Sequence, residues 1–403
     1  MVLMMELEEA LKVFDGVKEI DDTESVKIND SIGRIIAHDT VSKYDFPPYD
    51  RSAMDGFAFR YEDIAASPTP LLKVKGEVMA GHSGKIDLNK GECVRIMTGG
   101  VVPKPCDTVI EFEACTEEGG IVRIPKLPPK FSNIAFQGED LKKGEYAFER
   151  GDLVKENKIN LMASLGMNYV DVKRKLRIGV IPTGDELIDI DEELNYGKIR
   201  DSSKYSLEAQ IRGVFQEFVN FGISKDDEES IKYKISKGIE SECDILLITG
   251  GSSMGDKDLT QRVLEKMGAT IIAEKIAIKP GMPTIIAKLN GRKDVWIFGM
   301  PGNPVSTYIA FEMVVIPLIE KLTGTNKLSP NLLEGTFAGT FKKKPDRVHF
   351  VPCKVESGKV IPIRYNGSGD FTSLSRADGF FIAPKESSVL QTGDPVKYFM
   401  IKG

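Results

Sequence analysis

The sequence predicts a multidomain α/β plus β protein, and two observations on its hydrophobic pattern indicate this class. From about residue 176 to residue 326, short apolar runs alternate with amphipathic segments, as in a mostly parallel sheet covered by helices. On either side of this stretch, short apolar runs are broken by Gly and Pro, as in small β-domains. Because 403 residues exceed what one ordinary core holds, we expect about two to four domains.

The N-terminal part predicts helices that are interrupted by a β-domain. Residues 5–16 place Leu7, Leu11 and Phe14 on one helical face, and residues 159–165 resemble a second helix. The N-terminus lacks a basic region followed by an apolar core, so we expect no signal peptide. Between the helices, four runs predict strands: residues 72–78, 93–98, 108–112 and 121–124.

From residue 176 onward, the alternation predicts a three-layer α/β domain with a mostly parallel sheet. The apolar stretch 305–322 contains several polar residues and Pro317, which favours a buried helix over a membrane span. Strands are expected at residues 177–182, 245–248, 270–273 and 295–298, and helices at 203–214, 259–267 and from Pro304.

After Gly324 the pattern becomes β-rich again and predicts a C-terminal β-barrel. Residues 356–359, Glu-Ser-Gly-Lys, are typical of a hairpin turn. The expected strands are residues 335–341, 349–355, 360–363, 380–383 and 396–401. The expected domains are a discontinuous helical one (1–42 and 141–175), an inserted β-domain (43–140), the α/β domain (176–326) and the barrel (327–403).

Composition excludes several classes of site. The net charge of -6 argues against broad nucleic-acid binding, which needs clustered Lys and Arg. Five cysteines without a CxxC pair and only three histidines argue against zinc and iron–sulfur frameworks. We expect free thiols in a reducing cytoplasm, no membrane partner, and an anion held at a local site.

A strand that ends in a glycine-rich turn is the strongest local signal. Residues 245–248 read as a buried strand, and the following Thr-Gly-Gly-Ser-Ser-Met-Gly-Asp lets backbone N–H groups approach a phosphate. The alternative is a tight βα turn that uses glycine for geometry alone. The residues of this candidate anion site are Thr249, Gly250, Gly251, Ser252, Ser253 and Gly255.

Two later segments add candidate site residues. Lys275 and Lys279 are four residues apart in a run before Pro280-Gly281, so a single strand there would put both ammonium groups on one face. Two lysines on one face would either flank a bound anion or lie in solvent. Asn303-Pro304 is a strong helix start, because Asn suits the N-cap and Pro suits the first helical position. Pro301 makes the preceding turn stiffer than capping alone requires.

Acidic residues occur in or beside several turns. They include Asp55, Glu186, Asp226, Asp256 and Asp258. Most such residues serve only as turn or cap residues. Carboxylates beside a phosphate loop are also typical of a Mg²⁺ ion that bridges them to the ligand. No Ser/His/Asp triad and no Walker A motif is present, so we expect electrostatic positioning of a phosphorylated ligand.

Together these motifs resemble the molybdopterin molybdenumtransferases, the MoeA/gephyrin E-domain family. The resemblance covers nearly the whole chain and rests on seven motifs in the family's order. They are Pro-Pro-Tyr-Asp-Arg-Ser-Ala-Met-Asp-Gly-Phe-Ala (47–58), Arg-Ile-Met-Thr-Gly-Gly (95–100), Gly-Glu-Asp (138–140), Pro-Thr-Gly-Asp-Glu-Leu (182–187), Thr-Gly-Gly (249–251), Ile-Lys-Pro-Gly (278–281) and Pro-Gly-Asn-Pro-Val-Ser (301–306).

The resemblance implies an elongated homodimer with the four domains given above, acting in molybdenum cofactor synthesis beside other proteins of that route. It implies that adenylylated molybdopterin and molybdate, or tungstate, yield molybdenum cofactor and AMP, with Mg²⁺. The site would lie between the α/β domain and the partner subunit's β-domain. Adenylylation of molybdopterin and a non-catalytic pterin-binding scaffold are the alternatives.

The resemblance also assigns roles to residues. As catalytic residues it implies Asp55, Glu186, Asp258, Lys275 and Lys279, and as carboxylates for the metal Asp55, Glu186, Asp226 (or its neighbour Asp227), Asp256 and Asp258. As substrate-binding residues it adds Thr98, Asp140, Pro301, Gly302, Asn303, Pro304, Arg347 and Ser373 to the glycine turn. The chain departs from the family's pattern at Met282, Ser252 and Ser203, where Lys, Val and Asn are usual.

Overall fold

A computed structural model describes residues 4–68, 70–82, 85–250 and 259–401. The described chain forms two compact units. The first comprises residues 1–38, 150–159 and 169–403, and the second comprises residues 39–149 and 160–168. The chain thus leaves the first unit for the second and returns, while the finer division into four domains stays a prediction.

The strands are numbered in chain order through the described residues. Up to residue 173 they are β1 Met4–Met5, β2 Thr23–Lys27, β3 Thr40–Val41, β4 Arg51–Ser52, β5 Gly56–Phe59, β6 Leu71–Val78, β7 Glu92–Ile96, β8 Thr108–Glu111, β9 Thr116–Glu118, β10 Ile121–Arg123, β11 Ile134–Ala135, β12 Tyr146–Phe148 and β13 Tyr169–Lys173. Up to residue 300 they are β14 Arg177–Pro182, β15 Leu187–Ile188, β16 Ile199–Arg200, β17 Glu217–Asn220, β18 Ile245–Thr249, β19 Thr270–Ala273, β20 Lys275–Ile276, β21 Ile278–Lys279, β22 Ile285–Leu289 and β23 Val295–Met300. The last are β24 Leu333–Phe337, β25 Thr340–Lys342, β26 Val348–Glu356, β27 Lys359–Pro362, β28 Gly379–Ala383, β29 Val389–Gln391 and β30 Pro395–Met400.

The α-helices of the described residues are fewer and mostly short. They are α1 Leu7–Lys12, α2 Glu156–Ser164, α3 Ser203–Gly213, α4 Glu228–Glu240, α5 Leu259–Lys266, α6 Pro304–Ala310, α7 Ile316–Thr323 and α8 Phe371–Arg376. Across the four described ranges, every helix is too short or too polar to cross a membrane.

A six-stranded sheet in the order β17-β14-β18-β23-β22-β19 forms the centre of the first unit. Strands β17, β14, β18 and β23 are parallel, whereas β22 and β19 each run antiparallel to their neighbour. Because side chains alternate along β18, Leu247 packs with α3 and the α6–α7 segment on one face, and Leu246 and Ile248 pack with α4 and α5 on the other. This confirms the predicted three-layer α/β domain with a mostly parallel sheet.

The C-terminal strands close into a barrel, as predicted. Strands β26, β27, β24, β30 and β28 pair in this order, and β28 pairs again with β26. The hairpin turn predicted between β26 and β27 is present, with φ of 47° at Ser357 and 78° at Gly358. Strand β21 joins the outside of this sheet by pairing in parallel with β26.

The second unit is built on a six-stranded sheet in the order β8-β5-β7-β6-β10-β9. Strand β5 is buried at every residue, and a Cβ on its Gly56 would lie 1.9 Å from the carbonyl oxygen of Ile110. The sequence predicted four strands of this sheet, β6, β7, β8 and β10. It missed the short β9 and also β5, which carries the last residues of the 47–58 motif. The tight approach of β8 explains why a glycine stands in that motif.

Candidate active site

A cleft of about 1290 Å³ opens where strands β14, β18 and β23 end at their carboxyl edge. In parallel α/β sheets this edge is where ligands bind, because the strand ends and the following turns present backbone groups there. The cleft brings together ten of the residues that the sequence had singled out: Glu186, Asp226, Thr249, Gly250, Lys279, Pro301, Gly302, Asn303, Pro304 and Arg347.

The floor of the cleft depends on Gly250, which directly follows β18. Its φ is +90°, and a Cβ there would lie 2.2 Å from the carbonyl oxygen of Thr183. The N–H of Gly250 donates to the carbonyl of Met300 at 3.2 Å, and the N–H of Thr183 donates to that of Thr249 at 2.7 Å. Three strand ends therefore meet in a turn that excludes any side chain at position 250.

Asn303 occupies the N-cap position of α6 with Pro304 in the first turn, as predicted. Its side chain, however, does not cap the helix: the amide Nδ2 donates to the Ser368 hydroxyl at 2.8 Å. The N–H of Val305 also donates to the carbonyl of Ser368, at 3.2 Å. These two bonds attach the 367–369 loop of the C-terminal region to the strand-end turn of the α/β region.

Lys279 reaches the cleft because β21 pairs with β26, where Lys279 lies opposite His349. Its side chain is exposed, and within the described ranges no hydrogen bond or ion pair holds its ammonium group. Arg347 lies on the same wall, and its Nη1 contacts the Met282 sulfur at 2.8 Å. The cleft wall thus carries two cations, the Lys279 ammonium group, which has no hydrogen bond or ion pair within the described ranges, and the Arg347 guanidinium.

The expectation that Lys275 shares a strand face with Lys279 is wrong. The segment is not one strand: β20 pairs with β1, β21 pairs with β26, and Ala277 between them is buried. Lys275 pairs with Met4 and is not among the residues that line the cleft. The pairing partner changes within the segment, so the simple two-residue alternation does not continue through it.

The positive charge of Lys279 acts on its neighbour His349. His349 is 5% exposed, and burial lowers its pKa to about 4, helped by the nearby charges of Lys279 and Lys343. The charged imidazolium form of His349 is thus disfavoured, chiefly because burial removes water from the ring. The two lysines add repulsion, so an anion bound at this wall would relieve it.

Two carboxylates face the same cleft from the β14 and β17 sides. Burial raises the pKa of Asp226, and the nearby negative charges of Glu186 and Asp185 raise it further. Among the described residues, no cluster of three or more His, Cys, Asp or Glu side chains is arranged as a metal site. Asp227, the other candidate, instead caps α4 through the Ser230 N–H.

Two of the three predicted residues of the second unit, Asp55 and Thr98, are hydrogen-bonded to each other. The Asp55 carboxylate accepts the N–H and the hydroxyl of Thr98, both at 2.7 Å, and these bonds lower its pKa. The N–H of Asp140 donates to the carbonyl of Phe46 at 3.0 Å.

Several predicted residues lie elsewhere or outside the description. Ser373 is buried in α8, where its N–H donates to Asp370, and it does not line the cleft. The residues Gly251, Ser252, Ser253, Gly255, Asp256 and Asp258 lie outside the described residues.

Sequence reasoning missed part of the cleft wall. Asp201 is 2% exposed and has a pKa raised by burial, while its Oδ1 accepts the Lys204 N–H at 3.0 Å. Phe371 also lines the cleft and is 61% exposed. The Arg-Asp-Ser-Ser run was a visible signal for Asp201, whereas nothing in the local sequence distinguishes Phe371 from a core residue.

Family models match three parts of the chain. Residues 5–166 match the MoeA N-terminal region (domain I and II), and residues 179–321 match a probable molybdopterin binding domain. Residues 334–401 match the MoeA C-terminal region (domain IV). The three matches follow one another in the order that the sequence motifs predicted.

Relatives cover almost the whole chain. A Haemophilus influenzae protein named molybdopterin molybdenumtransferase is 34% identical over 381 residues, which are 93% of this chain and 93% of that protein. A Staphylococcus epidermidis protein of the same name is 30% identical over 92% of this chain and 90% of its own length. The crystal structure of the molybdopterin biosynthesis MoeA protein from Pyrococcus horikoshii OT3 matches with a TM-score of 0.86 and 30% identity, over 99% of this chain and all of that one. The chain therefore belongs to the MoeA family of molybdopterin molybdenumtransferases, the transferases of molybdenum cofactor biosynthesis.

Proposed function

We propose that this chain inserts the metal of molybdate, or of tungstate, into adenylylated molybdopterin, giving molybdenum cofactor or its tungsten counterpart together with AMP. The observation that carries the proposal is the combination of Lys279 and Arg347 on the wall of a cleft whose floor is the Gly250 turn. A dianionic oxyanion and a phosphorylated ligand both need cations and close backbone approach. The relatives named molybdopterin molybdenumtransferase support this choice of substrate.

In this proposal, the positive wall of the cleft binds and orients the anions. Lys279 is exposed and uncommitted within the described ranges, so a bound oxyanion gains its charge without breaking an existing ion pair. Arg347, whose Nε contacts Asp346 at 3.1 Å, is held more firmly and offers planar donors. The strand-end turn at Gly250 would then hold the phosphate of the pterin side, with Asn303 and Pro304 fixing the adjacent turn after β23.

Mg²⁺ fits two of the carboxylates in the cleft. Burial raises the pKa of Asp226 and the negative charge of Glu186 raises it further, so a divalent cation bound there would favour the ionised form. Mg²⁺ commonly takes one or two protein carboxylates together with ligand phosphate oxygens. Bound there, the ion would supply charge neutralisation for the phosphates of the adenylylated substrate. Asp55, Asp256 and Asp258 remain further candidates from the sequence.

Replacing Asp226 by Asn should abolish stabilisation by Mg²⁺ without destabilising the apoprotein. Because the pKa of Asp226 is raised above 3.8 in the fold, its ionised form is disfavoured, and the wild type loses stability relative to the Asp226→Asn variant as the pH rises through that pKa. We expect equal melting temperatures at acidic pH and an Asp226→Asn melting temperature at least as high as wild type at pH 7.

Thermal melting with and without Mg²⁺ at pH 7 measures this. The wild type should gain melting temperature with Mg²⁺ and Asp226→Asn should not. Asp171→Asn, an exposed change on β13, serves as the control and should respond like wild type. An Mg²⁺ response retained in full by Asp226→Asn would show that the ion does not use this carboxylate.

We further propose a cytoplasmic homodimer in which Asp55, Thr98 and Asp140 of one chain act on the substrate bound by the other. Other molybdenum cofactor synthesis proteins would supply the adenylylated substrate. This arrangement rests on the family resemblance of the motifs that contain these residues.

The direct test separates insertion from the adenylylation alternative. Purified protein receives either adenylylated molybdopterin, Mg²⁺ and molybdate, or free molybdopterin, Mg²⁺ and ATP. We expect AMP release in the first reaction and no adenylylated product in the second. Absence of AMP release, with wild type and Asp55→Ala equally inactive, would contradict the proposal and leave the scaffold alternative.

A further inference from the structure

Phe371 is an aromatic side chain that the fold leaves unburied inside the cleft. It is 61% exposed and lines the cleft, whereas Phe337, Phe350, Phe380 and Phe381 of the same region are all buried. Leaving a phenyl ring in water forgoes the stabilisation that burial of a large apolar side chain would give. Large exposed apolar groups in a concave site are typical of ligand contacts.

The backbone of Phe371 is held firmly although its ring is exposed. Asp370 caps α8, because its Oδ1 accepts the Ser373 N–H at 3.1 Å and its Oδ2 accepts the Asn366 N–H at 3.0 Å. The N–H of Phe371 itself donates to the carbonyl of Gly369 at 3.0 Å. Later in the helix, Ser373 is buried and Leu374 packs against the main core. The ring is therefore presented from a fixed position, which lowers the entropic cost of binding to it.

The loop before Phe371 is also attached to the turn between β23 and α6. Ser368 accepts the Asn303 amide and the Val305 N–H, and so ties this loop to the turn where α6 begins. Arg347 and Tyr365 line the same cleft. A ligand with a flat ring joined to a phosphate would thus meet an aromatic face, donors and cations in one cavity.

We propose that Phe371 is a specificity-determining residue that stacks on a planar heteroaromatic ring of the substrate. This inference rests on the proposed function, whose substrate carries two such rings, the adenine of the adenylyl group and the pterin. Aromatic stacking tolerates either ring, because both present a π-face of similar width. Binding of AMP and of neopterin, measured separately, distinguishes the two sources.

The test measures binding of three probes to the full chain: AMP, ribose 5-phosphate and neopterin. Ribose 5-phosphate is AMP without its base, so it reports phosphate binding alone. Phe371→Leu keeps the apolar bulk and removes the π-face, whereas Phe371→Tyr keeps both. Tyr233→Leu is the matched control, because Tyr233 is 62% exposed on α4 and does not line the cleft.

We expect Phe371→Leu to weaken either AMP or neopterin roughly 5- to 100-fold, the range of base stacking on an aromatic ring. Ribose 5-phosphate affinity and the melting temperature should stay at wild-type values, and Phe371→Tyr should restore binding. Loss of AMP affinity assigns the ring to adenine, and loss of neopterin affinity assigns it to the pterin.

Three results would overturn the inference. One is unchanged affinity of Phe371→Leu for AMP and for neopterin, and another is wild-type protein that binds neither probe. The third is a loss of dimerisation in Phe371→Leu by analytical ultracentrifugation, since a second copy would then cover the ring. In each case AMP release from adenylylated molybdopterin, measured on wild type, reports separately whether the proposed function stands.

Discussion

Replacing Lys279 by Met should lower kcat/KM for molybdenum insertion by about 100-fold or more while leaving the fold intact. Lys279 is exposed on the cleft wall, and no ion pair or hydrogen bond within the described residues depends on it. Removing one preorganised charge or donor from an anionic transition state typically costs about 10²- to 10³-fold in rate. Met keeps the unbranched length of the side chain, so little packing changes.

The same variant has a readout that does not depend on turnover. Lys279 is one of the charges that lower the pKa of His349, after burial itself, so Lys279→Met should raise that pKa from about 4. NMR titration of the His349 ring measures this shift. The melting temperature should not fall, because the substitution removes repulsion and breaks no bond.

Two control variants, Lys321→Met and Lys275→Met, separate the effect of Lys279 from a general effect of removing a lysine. Lys321→Met removes an exposed α7 lysine that pairs with Asp15 away from the cleft, and its rate should stay near wild type. Lys275→Met should cost less than Lys279→Met, because Lys275 is not on the cleft wall. A Lys279→Met rate within a few fold of wild type would remove Lys279 from the reaction.

Replacing Gly250 by Ala should destabilise the protein by about 2–5 kcal/mol and remove activity. The left-handed backbone costs an L-residue roughly 1–2 kcal/mol, and forcing a methyl group into a filled space typically costs about 1–3 kcal/mol more. Here the new Cβ would lie 2.2 Å from the backbone oxygen of Thr183, which cannot rotate away. The three strand ends that form the cleft floor would have to separate.

Gly268→Ala is the matched control, because it carries the cost of a left-handed backbone conformation without the steric clash. Its φ is +81°, close to the +90° of Gly250, but no heavy atom lies within 4 Å of its added Cβ. We expect it to lose only about 1 kcal/mol and to keep activity. Urea denaturation of both variants measures the difference, and equal destabilisation would show that the close approach at Gly250 has no energetic consequence.

Local sequence predicted the parts of the site that depend on local structure. The apolar run at β18, the glycine that follows it and the helix start at Pro304 all obey short-range rules of turn and helix-start chemistry, although the Asn303 side chain does not cap the helix. Their common location also followed, because parallel strands bring their carboxyl ends to one edge. The same rules could have found α4, where Ile231 and Ile235 are four residues apart and both buried.

Long-range pairing explains what the sequence could not predict. Lys275 and Lys279 look equivalent in the chain, but β20 pairs with residues 4–5 and β21 pairs with residues 348–349, and only Lys279 reaches the cleft. Phe371 likewise reads as a core residue, and its exposure follows from which side of α8 the rest of the molecule covers. Such choices are made by tertiary contacts far away in the sequence.

The most direct measurement of the central claim is the metal content of the product in a single-turnover reaction. Wild-type protein and Lys279→Met each receive adenylylated molybdopterin, Mg²⁺ and equal molybdate and tungstate, and the released AMP and the pterin-bound metal are quantified together. We expect one metal atom incorporated per AMP released by wild type, and about 100-fold slower incorporation and AMP release with Lys279→Met. AMP release without metal incorporation, or equal incorporation by both proteins, would contradict it.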